Sequence, residues 1–357
     1  MRTTDTGRRP GVRACDIGRP SRAVRLLAWA AVAAGLGCTA AVFHTTRSEE
    51  PRVAEQERGE GEIDGQETAD EEGLLNLRLP TFGGKQFWTD HCWRNGWRVQ
   101  QNAVTSHWRL LDPNNIRYCW GSRKACERML SEQAGTLAEK PPHHVVLLHG
   151  LFRSSGSMQA LGELLEEQKP WRSVCFEYAS TRASITEHAA AFREVIDGLP
   201  PNATLSFVGH SMGNIVVRHA LGDWETAGDH ATISRVKAVV MLGPPNNGAA
   251  IARQLSKVPP YEWIAGKGGV ELGAEWEAFE AKLATPTCPF GIIAGRLPDV
   301  VYNPLVGDVG DFVVSVDETK LPGAAFLEVS QGHSFLMDDA AVQEAVVNFI
   351  DHERFTE

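Results

Sequence analysis

The stretch Leu205-Ser-Phe-Val-Gly-His-Ser-Met-Gly-Asn-Ile-Val-Val-Arg-His-Ala-Leu221 joins two patterns across five residues. Leu205, Phe207 and Val208 read as a buried strand, and Ile215, Val216, Val217, Ala220 and Leu221 read as a helix with an inward apolar face. Between them lies Gly209-His210-Ser211-Met212-Gly213. A G-x-S-x-G pattern alone also describes a plain turn serine. Its place at a strand-to-helix reversal is what singles out Ser211 as a nucleophile. A sharp turn there needs small neighbours, because a Cβ at Gly209 or Gly213 would collide with the adjoining strand and helix. The turn also lifts the hydroxyl clear of the sheet and sets the Met212 N–H at a helix N-terminus, ready for an oxyanion.

Outward from this stretch, strands and helices alternate. Strands are expected at Val145–His149, Ser173–Tyr178, Val236–Leu242, Phe290–Ala294 and Ala325–Val329. Helices are expected at Ser157–Glu167, Ile185–Leu199 and Ala341–Phe349. Such alternation implies an α/β fold, a mostly parallel sheet with helices on both faces, whose sites lie at the carboxyl ends of the strands. His149-Gly150-Leu151 follows one such end, where the Leu151 N–H can serve as a second oxyanion donor. His149 precedes the nucleophile and is read as a brace for that loop. A catalytic base is sought after the strand at 290–294, where His333 and His352 remain; His333 opens a loop between glycine and serine and is favoured. Among Asp299, Asp308, Asp311 and Asp317, the favoured acid is Asp311, which precedes the apolar Phe312-Val313-Val314. Asp308 is the next choice. The acid would orient the imidazole and stabilise its charged form.

These motifs together resemble the α/β-hydrolases of the lipase and esterase type, from about Pro142 to Glu357. The matching pieces are His149-Gly150-Leu151, Gly209–Gly213, LGPPNNGAAIA at 242–252, GDFVVSV at 310–316 and GHS at 332–334. The resemblance implies a nucleophile at Ser211, an acid at Asp311, a base at His333 and oxyanion N–H groups at Leu151 and Met212, in the chain order Ser, Asp, His. Pro245 and Asn247 flank Asn246 where relatives often have a histidine, a departure that bears on loop packing. The implied activity is carboxylester hydrolysis on an ester or lipid substrate, with no metal or cofactor. Thioesterase, amidase and transacylase chemistry on the same residues, and a non-catalytic membrane-tethered binding module, are the competing readings. Trp263, Gly266, Gly268, Gly269, Leu272, Trp276 and Phe279 lie where such hydrolases insert a small lid; a plain surface helix is the competing reading.

The segment 75–142 is rich in tryptophan: Trp88, Trp93, Trp97, Trp108 and Trp120. Strands are expected at Trp97–Gln101, Val104–Leu111 and Ile116–Trp120, with a turn at Asp112–Asn115 and a helix over Lys124–Leu137. The tryptophans are read as core or sheet cover in preference to a ligand groove.

The N-terminus differs in kind. Residues 1–25 carry seven arginines against two aspartates, and Leu26–Phe43 runs 18 residues without a charge, just enough to span a bilayer. An uncleaved anchor with the arginines inside is preferred. A signal cleaved near Thr39-Ala40-Ala41 and a lipoprotein site at Gly37-Cys38 are the alternatives. Ser48–Glu72 has eleven acidic residues and two arginines, so it holds −9 of the chain's net −10. With few apolar residues it is expected to act as a solvated tether, within a linker over 44–74. The chain outside that stretch sums to only −1, so the acidic pI says little about the substrate; the catalytic domain, 75–357, would lie outside the membrane, and nothing is basic enough to suggest nucleic acid. Seven cysteines show no metal-ligand spacing; in an exported domain a disulfide among Cys92, Cys119 and Cys126 is an open expectation.

Overall fold

The computed structural model describes residues 78–356 apart from 82–84, 139–140, 258–260, 299–300 and 302. The basic segment, the apolar stretch Leu26–Phe43, the acidic tether, Cys15, Cys38 and the candidate acid Asp299 all lie outside the described residues.

A six-stranded, all-parallel sheet forms the centre. Its strands are β6 (His143–Leu148), β7 (Trp171–Phe176), β8 (Leu205–His210), β9 (Val236–Leu242), β10 (Phe290–Gly295) and β11 (Ala325–Val329), in the order β11-β10-β9-β8-β6-β7. Side chains alternate between two cores, as a strand's period of two requires. Val146, Leu148, Phe176, Phe207, Val239 and Met241 face α3 (Ile185–Asp197) and α4 (Met212–Ala227). Val145, Leu147, Val208, Val240 and Leu242 face α2 (Gln159–Gln168) and α8 (Ala340–His352). Helices on both faces explain why these strands read as continuous apolar runs. Local signals set the helix ends. Ser184 and Glu187 form a reciprocal capping box on α3, Asp339 caps α8, and Gly228 closes α4 in a left-handed conformation.

The tryptophan-rich segment builds a separate antiparallel sheet. It consists of β1 (Leu79–Pro80), β2 (Trp88–Arg94), β3 (Trp97–Asn102), β4 (Trp108–Leu111) and β5 (Ile116–Gly121) in the order β1-β5-β4-β3-β2, backed by α1 (Arg123–Gln133). Three expectations need correction here. Strand β4 begins at Trp108 because Val104 and Thr105 donate their N–H groups to the Asn102 side chain in a turn. The helix stops at Gln133, before Gly135 at φ +67°. Strand β2 was not foreseen. Most of the tryptophans cover and join: Trp88 packs edge-on to Trp120 at 5.5 Å with Arg109 over its face, and Trp93 meets His144 of β6 while also bordering the cleft lined by Gln86, Phe152 and Phe335. Cys92, Cys119, Cys126, Cys175 and Cys288 are all free thiols, so no disulfide joins the first three; Cys126 hydrogen-bonds Cys119 in the small core.

Beyond β9, α5 (Ala250–Leu255), α6 (Tyr261–Glu271) and α7 (Trp276–Glu280) form the region expected to hold a lid. Trp276, Phe279 and Leu272 are buried, whereas Trp263 is 85% exposed. Helix α6 breaks at Gly266, φ +66°, and passes over Met212, to whose sulfur a Cβ on Gly268 would lie at 3.1 Å. It is therefore a cap seated in the core beside the candidate nucleophile. Among the described residues no helix is long and apolar enough to cross a membrane.

Candidate active site

Ser211 stands at the tip of the turn between β8 and α4 with φ +53° and ψ −124°. A side chain there is strained by about 1–3 kcal/mol, so the surroundings must hold it. Its N–H donates to the Leu242 carbonyl (2.9 Å), and its own carbonyl accepts from the Asn214 backbone (3.1 Å) and side-chain amide (3.0 Å). The same Asn214 amide reaches Leu242, locking the turn to β9. The small neighbours are needed as foreseen: a Cβ on Gly209 would fall 2.7 Å from the Asn214 nitrogen, and one on Gly213 2.6 Å from the Leu148 carbonyl.

The loop after β6 runs against this turn. A Cβ at Gly150 would come within 2.9 Å of the Ser211 Cβ, so glycine lets the backbone approach. Residues 150–153 make a tight turn in which the Arg153 N–H donates to the Gly150 carbonyl (3.2 Å) and Phe152 takes φ +63°. Neither the Leu151 nor the Met212 N–H donates to a protein acceptor among the described residues. His149 is fully buried and braces the loop. Its Nδ1–H donates to the Gly150 carbonyl (2.9 Å), its ring stacks on Tyr178 at 4.1 Å, and the Tyr178 hydroxyl donates to its carbonyl. Burial, aided by the Arg153 charge, pushes its pKa down to about 4, which keeps it neutral.

Asp311 and His333 meet at the ends of β10 and β11. The His333 Nδ1–H donates to Asp311 Oδ2 at 2.6 Å, with both side chains no more than 2% exposed. The other Asp311 oxygen accepts from the Val313 (3.0 Å) and Val314 (2.8 Å) backbones, and its carbonyl accepts from the His333 N–H. The carboxylate is thus clamped from three directions. His333 Nε2 is buried without a protein partner among the described residues. Its ring centroid lies 4.8 Å from that of His210, the residue before Ser211, and His210 Nε2–H donates to the His333 carbonyl. Burial, reinforced by His333, drives the His210 pKa far below its usual value.

The rival residues lie elsewhere. Asp308 is exposed and accepts its neighbour's N–H, from Val309; Asp317 pairs with Lys320 on the surface; His352 is exposed at the far end of α8. Asn246 is buried and binds Arg218 and the Thr319 carbonyl, so this departure from the family pattern serves loop packing. Several residues at the site were missed by reading the sequence. Gly243, at φ +51°, leaves room where a Cβ would lie 3.1 Å from both Asp311 Oδ2 and His333 Nδ1; Asn214 holds the Ser211 turn; Arg153 donates to the Ser334 carbonyl. Gly243 stands in the quoted LGPPNNGAAIA motif, which was the available signal.

Residues 138–265 match the family model described as "Putative serine esterase (DUF676)". No curated protein is similar enough to the sequence to count as a match. Among solved structures, the lipase BlEst2 of Bacillus licheniformis in its mature form is 17% identical, with 62% of this chain covering 96% of that one at a TM-score of 0.45. The metagenomic carboxyl esterase MGS0156 is 19% identical, with 57% of this chain covering 68% of that one at 0.42. A lin2722 gene product of Listeria innocua is 16% identical, with 59% covering 94% at 0.42. The parallel order β11-β10-β9-β8-β6-β7, with its serine turn at the end of β8, gives this chain an α/β-hydrolase fold, and its residues 138–265 are similar to the family described as putative serine esterases.

Proposed function

We propose that the protein is a serine carboxylester hydrolase working through an acyl-enzyme on Ser211. The observation that carries this reading is the buried 2.6 Å Asp311–His333 pair, whose free Nε2 lies beside the serine turn. His333 would take the Ser211 proton as the hydroxyl oxygen attacks the ester carbonyl, while Asp311 stabilises the imidazolium. The carbonyl oxygen, now negative, would accept from the Leu151 and Met212 N–H groups. His333 would pass its proton to the leaving alcohol. Water would then attack the acyl-enzyme through the same base and release the acid. The chain's own groups supply every proton transfer in this scheme. Phe152 borders Leu151, and Phe335, 59% exposed, lies two residues past His333, so apolar surface flanks the reacting position and suits an acyl group. A non-catalytic binding role would leave the clamped carboxylate and the strained serine unexplained.

We also propose, from the sequence alone, that Leu26–Phe43 holds this domain at a membrane, on its outer side.

The test uses the full chain with a p-nitrophenyl butyrate assay and a serine-directed fluorophosphonate. The expected outcome is hydrolysis and stoichiometric labelling of the parent, with neither in Ser211→Ala at an unchanged far-ultraviolet circular dichroism spectrum. Parental activity in Ser211→Ala would overturn the assignment.

A further inference from the structure

The antiparallel sheet has no part in the proposed chemistry, yet a residue of the turn leading into it touches the loop that the chemistry needs. Chain 86–90 runs along 177–181 at the end of β7. The Asp90 N–H donates to the Glu177 carbonyl (2.9 Å), the Glu177 N–H to Asp90 Oδ2 (2.8 Å), and the Ala179 N–H to Thr89 Oγ1 (3.2 Å). Asp90 is itself held by Gln100, which Arg109 grips through two nitrogens. This register delivers the Gln86 carboxamide to the oxyanion loop. Its Nε2 donates to the Arg153 carbonyl (2.5 Å) and to Ser180 Oγ (3.0 Å); its Oε1 accepts from Thr181 Oγ1 (3.0 Å) and, more weakly, the Thr181 N–H (3.3 Å). Ser180 Oγ in turn accepts the Phe152 N–H at 3.1 Å.

Phe152 is what makes this contact matter. A bulky residue at φ +63° does not hold that conformation unaided, and releasing it would swing the preceding peptide, which carries the Leu151 carbonyl, and so displace Leu151, whose N–H sits one peptide back. The turn's internal bond, Arg153 N–H to Gly150, fixes one side; the Gln86–Ser180 pair fixes the other through the Arg153 carbonyl and the Phe152 N–H. Gln86 also adopts φ +62°, so both partners are held in place by the structure around them.

We infer that Gln86 is a positioning residue which, through Ser180, holds residues 150–153 in the conformation that aims the Leu151 N–H at the reacting carbonyl. This rests on the esterase reading for its catalytic consequence and on geometry alone for the brace.

Gln86→Met keeps length and volume and removes every polar contact. In the full chain it is expected to lower kcat on p-nitrophenyl butyrate by about 10- to 100-fold with KM nearly unchanged, as loss of donor alignment in the transition state requires. The inhibition constant of an alkyl boronic acid, whose tetrahedral adduct uses the same donors, should rise in parallel. Hydrogen exchange should accelerate at amides 150–154 and not in β8 or α4. Ser180→Ala should give the same pattern, and the double variant no more than the worse single one. A change in KM with kcat and boronate affinity intact, or unchanged exchange at 150–154, would overturn the inference. A parent chain inactive towards esters and phosphonate, whose 150–154 amides nonetheless open in Gln86→Met, would remove the esterase reading and leave the brace standing.

Discussion

Glu177 should make the fold lose stability as pH rises, and Glu177→Gln should abolish that loss. The carboxyl is 2% exposed. Its Oε2 accepts from the Ser155 N–H (3.1 Å) and hydroxyl (2.6 Å), but Oε1 has no partner among the described residues. That oxygen faces His149 Nε2 at 3.7 Å. Because His149 Nδ1 donates to the Gly150 carbonyl and the ring is held neutral, Nε2 presents a lone pair, which accepts the Tyr178 N–H weakly (3.4 Å), so an ionised Glu177 faces an acceptor with an acceptor. Burial raises the Glu177 pKa from 4.5 to about 7, with Asp90 adding to the rise and the Ser155 bonds opposing it. The folded state therefore binds the proton more tightly than the unfolded chain. The stabilisation is complete below pH 4.5 and is lost as pH climbs through about 7. That gap corresponds to roughly 3 kcal/mol. Glutamine keeps an acceptor for Ser155 and offers an N–H to His149 at every pH. Urea unfolding at intervals from pH 4 to 8 should show parent and variant alike at the acid end and the variant more stable by up to about 3 kcal/mol at pH 8, near 5 °C in Tm for a domain of this size. A difference that does not change with pH, or a less stable variant at pH 8, would refute the reasoning.

The choice of acid gives a second prediction: Asp311→Asn should lower kcat by about three to four orders of magnitude, since the amide can no longer orient and stabilise the His333 imidazolium. Asp308→Asn, altering an exposed residue outside the pair, should leave kcat within about two-fold, and the reverse ranking on the same ester would move the acid. Topology gives a third: tagged protein should fractionate with membranes, and protease added to spheroplasts should release an active domain by cutting within Ser48–Glu72. Protein found only in the soluble cytoplasmic fraction, or shielded from that protease, would sink the anchor proposal, whereas a mature N-terminus near Ala40 would keep export and remove the anchor.

What could be read from the sequence follows how local each signal is. Ser211 follows β8 directly and His333 follows β11 by a few residues, while Asp311, well past β10, is marked by the apolar Phe312-Val313-Val314 after it; each carries its evidence within a few residues. Strand β11 has the expected bounds, Ala325–Val329, because glycine and serine punctuation flanks it. Strand β2, Trp-Thr-Asp-His-Cys-Trp-Arg, was missed because its pattern misleads: Thr89 and Asp90 are buried, and their partners, Ala179 and Glu177, lie far along the chain. The over-long reading at Val104 has the opposite cause, since β-branched Val104 and Thr105 favour strand while the Asn102 side chain captures their amides in a turn. The Gln86–Ser180 contact spans 94 residues, and a lone glutamine has no periodicity to betray it.

Besides Phe312 beside Asp311, two unfavourable conformations at the site fall on either side of one position. Ser211 at φ +53° and Phe152 at φ +63° are both non-glycine residues in a region that side chains avoid, and the two proposed oxyanion donors, Met212 and Leu151, are their immediate neighbours. Relaxing Ser211 would rotate the peptide that carries the Met212 N–H, and relaxing Phe152 would shift Leu151, whose N–H lies one peptide further back. The strain is tolerated because rigid strands hold the anchors: Leu242 of β9 takes the Ser211 N–H, and the β7 extension at Ser180 takes that of Phe152. A donor pair fixed in this way need not reorganise when charge appears on the substrate oxygen, which is where such sites obtain most of their rate. If the proposed esterase reading holds, the antiparallel sheet and the turn before it serve catalysis indirectly, since Gln86 and Asp90 bind the segment 177–181 that holds the loop of one proposed donor.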